Sequence, residues 1–106
     1  MKGGMDMTRK IGLSVNDTPI EMDYFVQGFV DHTVYGMVSS LEGVGDIHDI
    51  EININDKDAA VMVNNQPLSL NDFASAIVGS TLRGMVSSLK GVDKPEKIHV
   101  GIRRGA

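Results

Sequence analysis

A nearly identical nine-residue segment occurs twice in this chain of 106 residues. Residues 36–44 read GMVSSLEGV, and residues 84–92 read GMVSSLKGV. When the sequence is shifted by 48 positions, residues 11–58 align with residues 59–106 without a gap, and 16 of the 48 pairs are identical. Because the identities fall in every part of this alignment, the spacing indicates a duplicated unit, and the chain must build one fold from two similar halves.

The first half of each repeat predicts a β-hairpin. Alternating apolar residues in IGLSV and AAVMV predict a strand. The Asn-Asp pair at 16–17 and the Asn-Asn pair at 64–65 tolerate positive φ, which suits a two-residue hairpin turn. Pro19 and Pro67 remove a ladder donor, so the returning strand should be short and lie at a sheet edge. Its inward side chains are predicted to be Ile20, Met22, Leu68 and Leu70.

A helix and a final strand complete each predicted unit. Asp23 and Asn71 are suitable N-caps, and Gly43 and Gly91 stand where a C-terminal cap is expected. Apolar residues between these positions recur at helical spacing. They are Val26, Phe29, Val30, Val34, Met37, Val38 and Leu41, and Ala74, Ile77, Val78, Leu82, Met85, Val86 and Leu89. The final strands alternate apolar and polar residues, with Ile50, Ile52, Ile54 and Ile98, Val100, Ile102 on one face.

These patterns predict an α+β fold made of tandem β-hairpin–helix–strand (ββαβ) units. A unit of about 45 residues is too small to bury an adequate core alone, so repeats 11–58 and 59–106 should form a single pseudo-two-fold domain with two helices and about six strands. Few residues separate Ile54 from Ala59, which predicts an antiparallel pair across the repeat boundary. The order of the other strands stays open, and residues 1–10 are expected to be flexible.

Composition excludes several classes of function. A net charge of −4 and a pI near 5.2 argue against a non-specific nucleic-acid binder, which carries a basic field. The chain has no cysteine, so disulfides, thiol nucleophiles and thiolate metal sites are excluded. Neither a signal peptide nor an apolar run of membrane-spanning length is present. A cytoplasmic protein that does not bind membranes is therefore expected.

Residues that are small, apart from His32, recur every fourth position along each predicted helix. They are Gly28, His32, Gly36 and Ser40, and Ala76, Ser80, Gly84 and Ser88. A glycine inside a helix costs roughly 1 kcal/mol relative to alanine, so Gly36 and Gly84 require compensation. Close helix–helix or helix–sheet packing is the simpler interpretation, and Ser40 and Ser88 would then donate to a carbonyl one turn earlier. The other interpretation is a shared binding groove. The candidate groove residues are His32, Tyr35, Ser39, Ser40, Arg83, Ser87 and Ser88.

No constellation of residues points to catalysis or to a cofactor. The motifs GxSxG, GxGxxG and GxxxxGK[ST] are all absent. The group Asp46, His48, Asp49 and Glu51 could ligate a divalent metal. On a strand, however, these side chains alternate between faces, and the second repeat does not reproduce them. Neither a metal site nor a cofactor site is predicted.

The pattern VNxxPΦxΦNxF…GMVSSLKGV, in which Φ is apolar, resembles a family of small, uncharacterised prokaryotic proteins, many of them archaeal. Single units of that family read like residues 61–102, and the unit also resembles segments appended to molybdenum-cofactor biosynthesis proteins. The match is close in the second repeat and looser in the first, where Asp23-Tyr24-Phe25 replaces Asn71-Asp72-Phe73. The resemblance implies no catalytic residue.

Three functional hypotheses follow. A non-catalytic protein-interaction or scaffold module is favoured, with a protein partner and self-association through exposed strand edges as one use. The alternative is a small-ligand binder or weak enzyme with a site on the pseudo-two-fold axis, where the halves differ in the pairs His32/Ser80, Tyr35/Arg83 and Glu51/His99. The third hypothesis is RNA contact through a basic face. Its residues would be Arg83, Lys90, Lys94, Lys97, Arg103 and Arg104.

Overall fold

Six antiparallel strands and two helices make up the chain in a computed structural model that describes residues 9–41, 45–56, 58–89, 92 and 94–104. The elements in chain order are β1 (Arg9–Val15), β2 (Thr18–Pro19), α1 (Tyr24–Ser39), β3 (Asp49–Asn55), β4 (Asp58–Val63), β5 (Gln66–Pro67), α2 (Asp72–Ser87) and β6 (Lys97–Arg104). The predicted α+β class, with two helices and about six strands, is confirmed.

All six strands belong to one sheet in the order β2-β1-β6-β3-β4-β5. Strands β3 and β6 lie at the centre, with Ile52 opposite Val100, and these two residues are related by the 48-residue shift. Strand β3 turns directly into β4, and Asn55 faces Asp58 across that turn. The predicted antiparallel pair across the repeat boundary is therefore confirmed.

The last strand of each half pairs with the hairpin of the other half. Strand β6 lies between β1 and β3, and β3 lies between β6 and β4. Neither half therefore forms its own sheet: the hairpin β1–β2 is held by a strand from the second repeat, and the hairpin β4–β5 by a strand from the first. The interior of the chain depends on this exchange of strands.

Both hairpin turns have the predicted backbone conformation. Asn16 and Asp17 have φ of 51° and 67°, and Asn64 and Asn65 have φ of 53° and 64°, which is the double positive φ of a type I′ turn. As predicted, the returning strands are two residues long and lie at the sheet edges. They end at the prolines, however, so the residues predicted as their inward faces lie beyond the strands and pack against the core from there. These residues are Ile20, Met22, Leu68 and Leu70.

The first asparagine of each turn also braces the other half of the molecule. The Asn64 side chain accepts hydrogen bonds from the backbone N–H groups of His48 and Asp49 and donates to the carbonyl of Asp46. Asn16 makes the same three contacts with residues 94, 96 and 97. Each turn thereby fixes the entry of the central strand that belongs to the opposite half, which gives a structural reason for the identity of these two asparagines.

The core lies on one face of the sheet and is covered by the two helices. Each helix contributes a row of three fully buried residues at i, i+4 and i+8. These rows are Val30, Val34 and Val38 in α1, and Val78, Leu82 and Val86 in α2. The predicted N-caps are confirmed, because Asp23 accepts from the N–H of Val26 and Asn71 accepts from the N–H of Ala74. Gly43 and Gly91, the predicted C-caps, lie outside the described residues.

The first strand begins earlier than the repeat boundary at residue 11. Arg9 and Lys10 belong to β1 and are in register with Arg104 and Arg103 of β6. The flexibility of residues 1–10 stays a prediction. Residues 1–8 lie outside the described part of the chain.

Replacing Asn64 with glycine tests the bracing role of its side chain. Glycine keeps the positive φ accessible but removes three hydrogen bonds, each with a net worth of about 1 kcal/mol. We expect Asn64→Gly to lower the free energy of unfolding by about 2–3 kcal/mol in urea denaturation. The matched control is Asn65→Gly, which retains the braced loop and creates a favourable Asn-Gly turn. Equal destabilisation by both variants would contradict the bracing role.

Candidate functional site

The two helices run antiparallel beside each other, and a trough separates them on the side away from the sheet. One end of this trough is lined by the start of α1 and the end of α2, including Phe29 and Leu89. The other end is lined by the end of α1 and the start of α2, including Met37 and Ile77. The hollow at the second end has a volume of about 820 Å³, and that at the first end about 260 Å³. The residues that line the two hollows largely correspond under the 48-residue shift.

All the large apolar side chains exposed among the described residues belong to the helices. They are Tyr24 (78% exposed), Phe25 (75%), Phe29 (54%), Phe73 (76%) and Ile77 (44%). All five lie within two turns of a helix N-terminus. All of them except Tyr24 lie on the side of their helix that faces away from the sheet. We call this side of the two helices, together with the trough, the outer helix face. It carries apolar surface where a soluble protein normally carries charge.

Charged side chains are nearly absent from the helices. Among the 32 residues of α1 and α2, only Asp31, Asp72 and Arg83 have a formal charge when histidine is neutral. Asp31 is fully buried, and Arg83 is half-buried with its guanidinium on backbone carbonyls. Only Asp72, in the first turn of α2, presents a charge to solvent. An apolar, nearly uncharged outer face is typical of a surface that another molecule covers.

Each helix has a bulky half and a small half on the outer face. In α1, Phe25 and Phe29 lie in the first two turns, whereas Gly36 follows them by 11 and 7 residues, about three and two turns later on the same side. In α2, Phe73 and Ile77 stand in the same relation to Gly84. Because the helices are antiparallel, each end of the outer helix face combines the bulky half of one helix with the small half of the other.

The packing interpretation of the small residues is wrong within the single chain. Gly36 and Gly84 are exposed, and a Cβ atom built on either would meet no atom within 4 Å. A Cβ atom built on the half-buried Gly28 would also meet no atom within 4 Å. No helix or strand of the described chain approaches these glycines closely, so no internal contact accounts for the helix-propensity cost of Gly36 and Gly84. Sequence spacing shows that these residues share a face, but it does not show whether that face is covered.

The predicted groove serines are only partly brought together. Ser40 lines the larger hollow and Ser88 the smaller one, so they lie at opposite ends of the trough. The Ser40 hydroxyl donates to the Gly36 carbonyl at 2.9 Å, as predicted. Ser39 and Ser87 donate to the carbonyls of residues 35 and 83, both at 2.6 Å. Three of the four hydroxyls therefore bond to their own helix.

The remaining groove candidates lie apart from the trough. Arg83 donates from Nε to the Pro95 carbonyl at 3.3 Å and from Nη2 to the Asp56 carbonyl, which ties α2 to two loops of the sheet. Tyr35, its counterpart, is half-buried and packs against the core. The exposed His32 is on the outer helix face, and its Nε2 lies 3.9 Å from Oδ2 of the buried Asp31. The role of these residues as a binding groove stays a prediction.

The opposite face of the sheet is open and polar. At its centre, His99 Nε2 lies 3.2 Å from Glu51 Oε1, so two residues that correspond under the 48-residue shift contact each other. Arg103 Nε lies 3.6 Å from Asp49 Oδ1 on the same face. Within the described ranges, no three His, Asp or Glu side chains are placed to hold a metal ion. Asp46, His48, Asp49 and Glu51 therefore do not form the metal site that their proximity in sequence allowed.

Comparison with known protein families, with curated proteins and with solved structures gives no significant match to this chain. In the part of the chain that the structure describes, neither helix is long and apolar enough to cross a membrane.

The exposed phenylalanines are the site residues that sequence reasoning missed. Phe29 and Ile77 belong to the apolar helical pattern and were expected to face the core, and Phe25 and Phe73 precede that pattern at its edge. The sequence feature that could have revealed this exposure is the width of the apolar stripe on each helix. Once the rows of buried residues are accounted for, each helix carries more apolar positions than one sheet contact requires.

Replacing Gly36 with alanine tests whether the glycine is needed by the single chain. A Cβ atom finds open space there, so we expect Gly36→Ala to raise the free energy of unfolding by about 1 kcal/mol through helix propensity. The reverse change at an exposed position of the other helix, Ala76→Gly, should lower it by a similar amount. Urea unfolding of the monomer, at protein concentrations below the onset of any self-association, measures both. Destabilisation by Gly36→Ala would reveal an internal contact.

Proposed function

We propose that the chain is a non-catalytic protein-interaction module that binds its partner through the outer helix face. One observation carries this proposal: the large apolar side chains exposed among the described residues all lie on the two helices, in a region with almost no exposed charge. Contiguous apolar surface of this kind marks sites that another molecule covers.

The size of the exposed apolar surface supports a protein as the partner. The three exposed phenylalanines of this face, at about 150–250 Å² each, together present roughly 300–500 Å² to solvent at their observed exposures. The largest apolar patch of a typical monomer measures about 300–600 Å². Aromatic side chains of this type dominate the binding energy of protein interfaces. The phenylalanines alone thus supply about half of the roughly 800 Å² that each partner buries in a standard interface, before Ile77 and the walls of the trough are included.

The open sheet face does not share these properties. Its central strands alternate positive, negative and amide side chains, such as Arg103, Glu51 and Asn53. Burying such charges without matched partners is costly, whereas burying the phenylalanines is favourable. The outer helix face is therefore the better binding surface.

We further propose that the two halves descend from one duplicated ββαβ unit and that the protein belongs to the family whose GMVSSLKGV pattern it resembles. The gapless 48-residue alignment and the sheet order, which reads the same after the halves are exchanged, support the duplication. The absence of cysteine supports a cytoplasmic location.

Removing two exposed phenylalanines tests the proposed surface. Phe25 and Phe73 are 75% and 76% exposed, so the double variant Phe25→Ser/Phe73→Ser should retain its stability within about 0.5 kcal/mol. We expect it to lose the proteins that the wild-type chain captures from a cell extract, identified by mass spectrometry. Copies of the chain itself count among these proteins.

The matched control carries an apolar-to-serine change on the open sheet face, Met62→Ser. It should capture the same proteins as the wild-type chain. If the helix variant also retained all of them, or if only the control lost them, the outer helix face would not be the binding surface.

The alternative function, small-ligand binding on the pseudo-two-fold axis, rests on the Glu51–His99 contact. This contact lies on the open face between two shallow depressions of about 370 and 240 Å³, of which Glu51 lines the first and His99 the second. Glycines at 12 and 101 form part of the first depression, where their lack of side chains leaves backbone accessible. A carboxylate and an imidazole in contact are groups that can bind a small polar molecule.

NMR titration of the labelled chain with sugar phosphates, nucleotides and small carboxylic acids tests this alternative. A ligand on the axis should shift the amide resonances of Glu51, His99 and Gly101, and the double variant Glu51→Gln/His99→Gln should abolish those shifts. Unchanged resonances at these positions with every compound would remove the alternative and leave the interaction module in place.

A further inference from the structure

We propose that the partner on the outer helix face is a second copy of this chain, so that the protein forms a two-fold symmetric dimer in which four helices lie between two sheets. This inference rests on the proposed function and adds the identity of the partner. It follows from the charge, shape and size of the outer helix face.

The charge distribution allows two copies to meet at this face and disfavours a charged partner. Each copy has a net charge of −4, yet the helices present only Asp72 to solvent, at one end of the face. The other described charged residues lie on the sheet or its connections, and of these Asp23, the N-cap of α1, stands at the start of that helix two residues before Phe25. A partner selected by electrostatic complementarity would require charges that this face lacks, whereas a second copy presents an equally uncharged surface.

The shape of the outer helix face is complementary to itself. A two-fold axis in the plane of the contact, perpendicular to the helices, places the end that carries Phe25 and Phe29 of one copy over the opposite end of the other copy. That opposite end contains the larger hollow, of about 820 Å³, beside the small half of α1 with Gly36 and Ser40. The same rotation places the end that carries Phe73 and Ile77 of the first copy over the end of the second copy that carries Gly84. Bulky halves then meet small halves at both ends, as an isologous interface requires.

This arrangement accounts for the exposed helix glycines. Gly36 and Gly84 have open space above them in the single chain, and each lowers helix propensity. Across the proposed dimer, the space above each glycine receives apolar side chains from the other copy. Small residues that line a helix surface permit this kind of close approach, and the packing role absent within one chain is supplied between two chains.

The available area is sufficient for a stable dimer. Each helix of 16 residues is about 24 Å long. The exposed phenylalanines of this face, at roughly 300–500 Å², already supply about half of the area of about 800 Å² per partner that a standard interface buries. The walls of the trough supply the remainder, including Met37, Leu41, Met85 and Leu89, which are half-buried in the single chain.

Sedimentation equilibrium across protein concentrations from about 1 to 500 μM measures the association directly. We expect the wild-type chain to form a dimer with a micromolar or lower dissociation constant, within the range observed for interfaces of this size. The double variant Gly36→Leu/Gly84→Leu should raise that constant about 100-fold or more, because the added side chains fill the space that the other copy's phenylalanines occupy.

The monomer fold should tolerate this variant, since a Cβ atom at either glycine meets nothing within 4 Å and leucine is a better helix former than glycine. Circular dichroism and urea unfolding check that it is folded. The matched control carries leucine at two positions on the open sheet face, Ser14→Leu/Ala60→Leu, and should remain a dimer with the wild-type dissociation constant.

A complementary pair of variants tests which residues oppose each other. Gly36→Lys/Gly84→Lys and Phe25→Glu/Phe73→Glu should each be monomeric alone, because the lysines would be buried against the other copy's phenylalanines and the glutamates would be buried without a partner. An equimolar mixture should form a heterodimer, since the introduced lysines on one chain then lie opposite the introduced glutamates on the other. Failure of the mixture to associate, when the wild-type chain does so, would overturn the proposed arrangement.

Two further outcomes would overturn the inference. A wild-type chain that remains monomeric at 500 μM would exclude the second copy as the partner. A dimer that survives the leucine variant would assign self-association to another surface. In the first case, capture of another protein that depends on Phe25 and Phe73 would leave the proposed function standing. If the chain is monomeric and no captured protein depends on Phe25 and Phe73, both the dimer and the proposed function would be excluded.

Discussion

The exchange of the central strands is the constraint on which the rest of this molecule depends. Strands β3 and β6 pair with each other and with the hairpin of the opposite half. Each half therefore supplies the strand that the other half needs to cover its inner side chains. The helices then lie on the same face, because the two-fold exchange of the halves reverses the strand order within the sheet and leaves each face of the sheet unchanged. The antiparallel helix pair, the trough and the repeated bulky and small halves follow from this arrangement.

Local structure was predictable because it depends on neighbouring residues. The turns at residues 16–17 and 64–65, the caps at Asp23 and Asn71 and the alternation in β3 and β6 all reflect backbone preferences that act over a few positions. The two-residue edge strands followed from the missing donors of Pro19 and Pro67. The strand order was not predictable, because alternation shows which side of a strand is apolar but not which strand lies beside it. Only the short connection between β3 and β4 identified a pair of neighbours in advance.

The candidate site was predicted less well than the fold, for a physical reason that the helices make clear. Residue spacing assigned Gly36 and Gly84 to one side of each helix, and that assignment is correct. Whether that side faces the sheet depends on the rotation of each helix about its axis, which is determined by packing of the rows centred on Val34 and Leu82. The sheet contacts only part of each apolar stripe, so Phe29 and Ile77 face outward although they belong to the same helical pattern as the core residues. The serines, which suggested polar chemistry, mostly bond to their own helix.

The register at the ends of the sheet has a consequence for the connectivity of the chain. Lys10 lies opposite Arg103, and Asn55 lies opposite Asp58, and these two pairs correspond under the 48-residue shift. The outer ends of β1 and β6 are thus as close as the ends of two strands joined by a tight turn. A circular permutant that joins residue 104 to residue 9 through a short linker and opens the chain between β3 and β4 would keep every strand neighbour. It would also keep the order of elements, since hairpin, helix and strand would again be followed by hairpin, helix and strand.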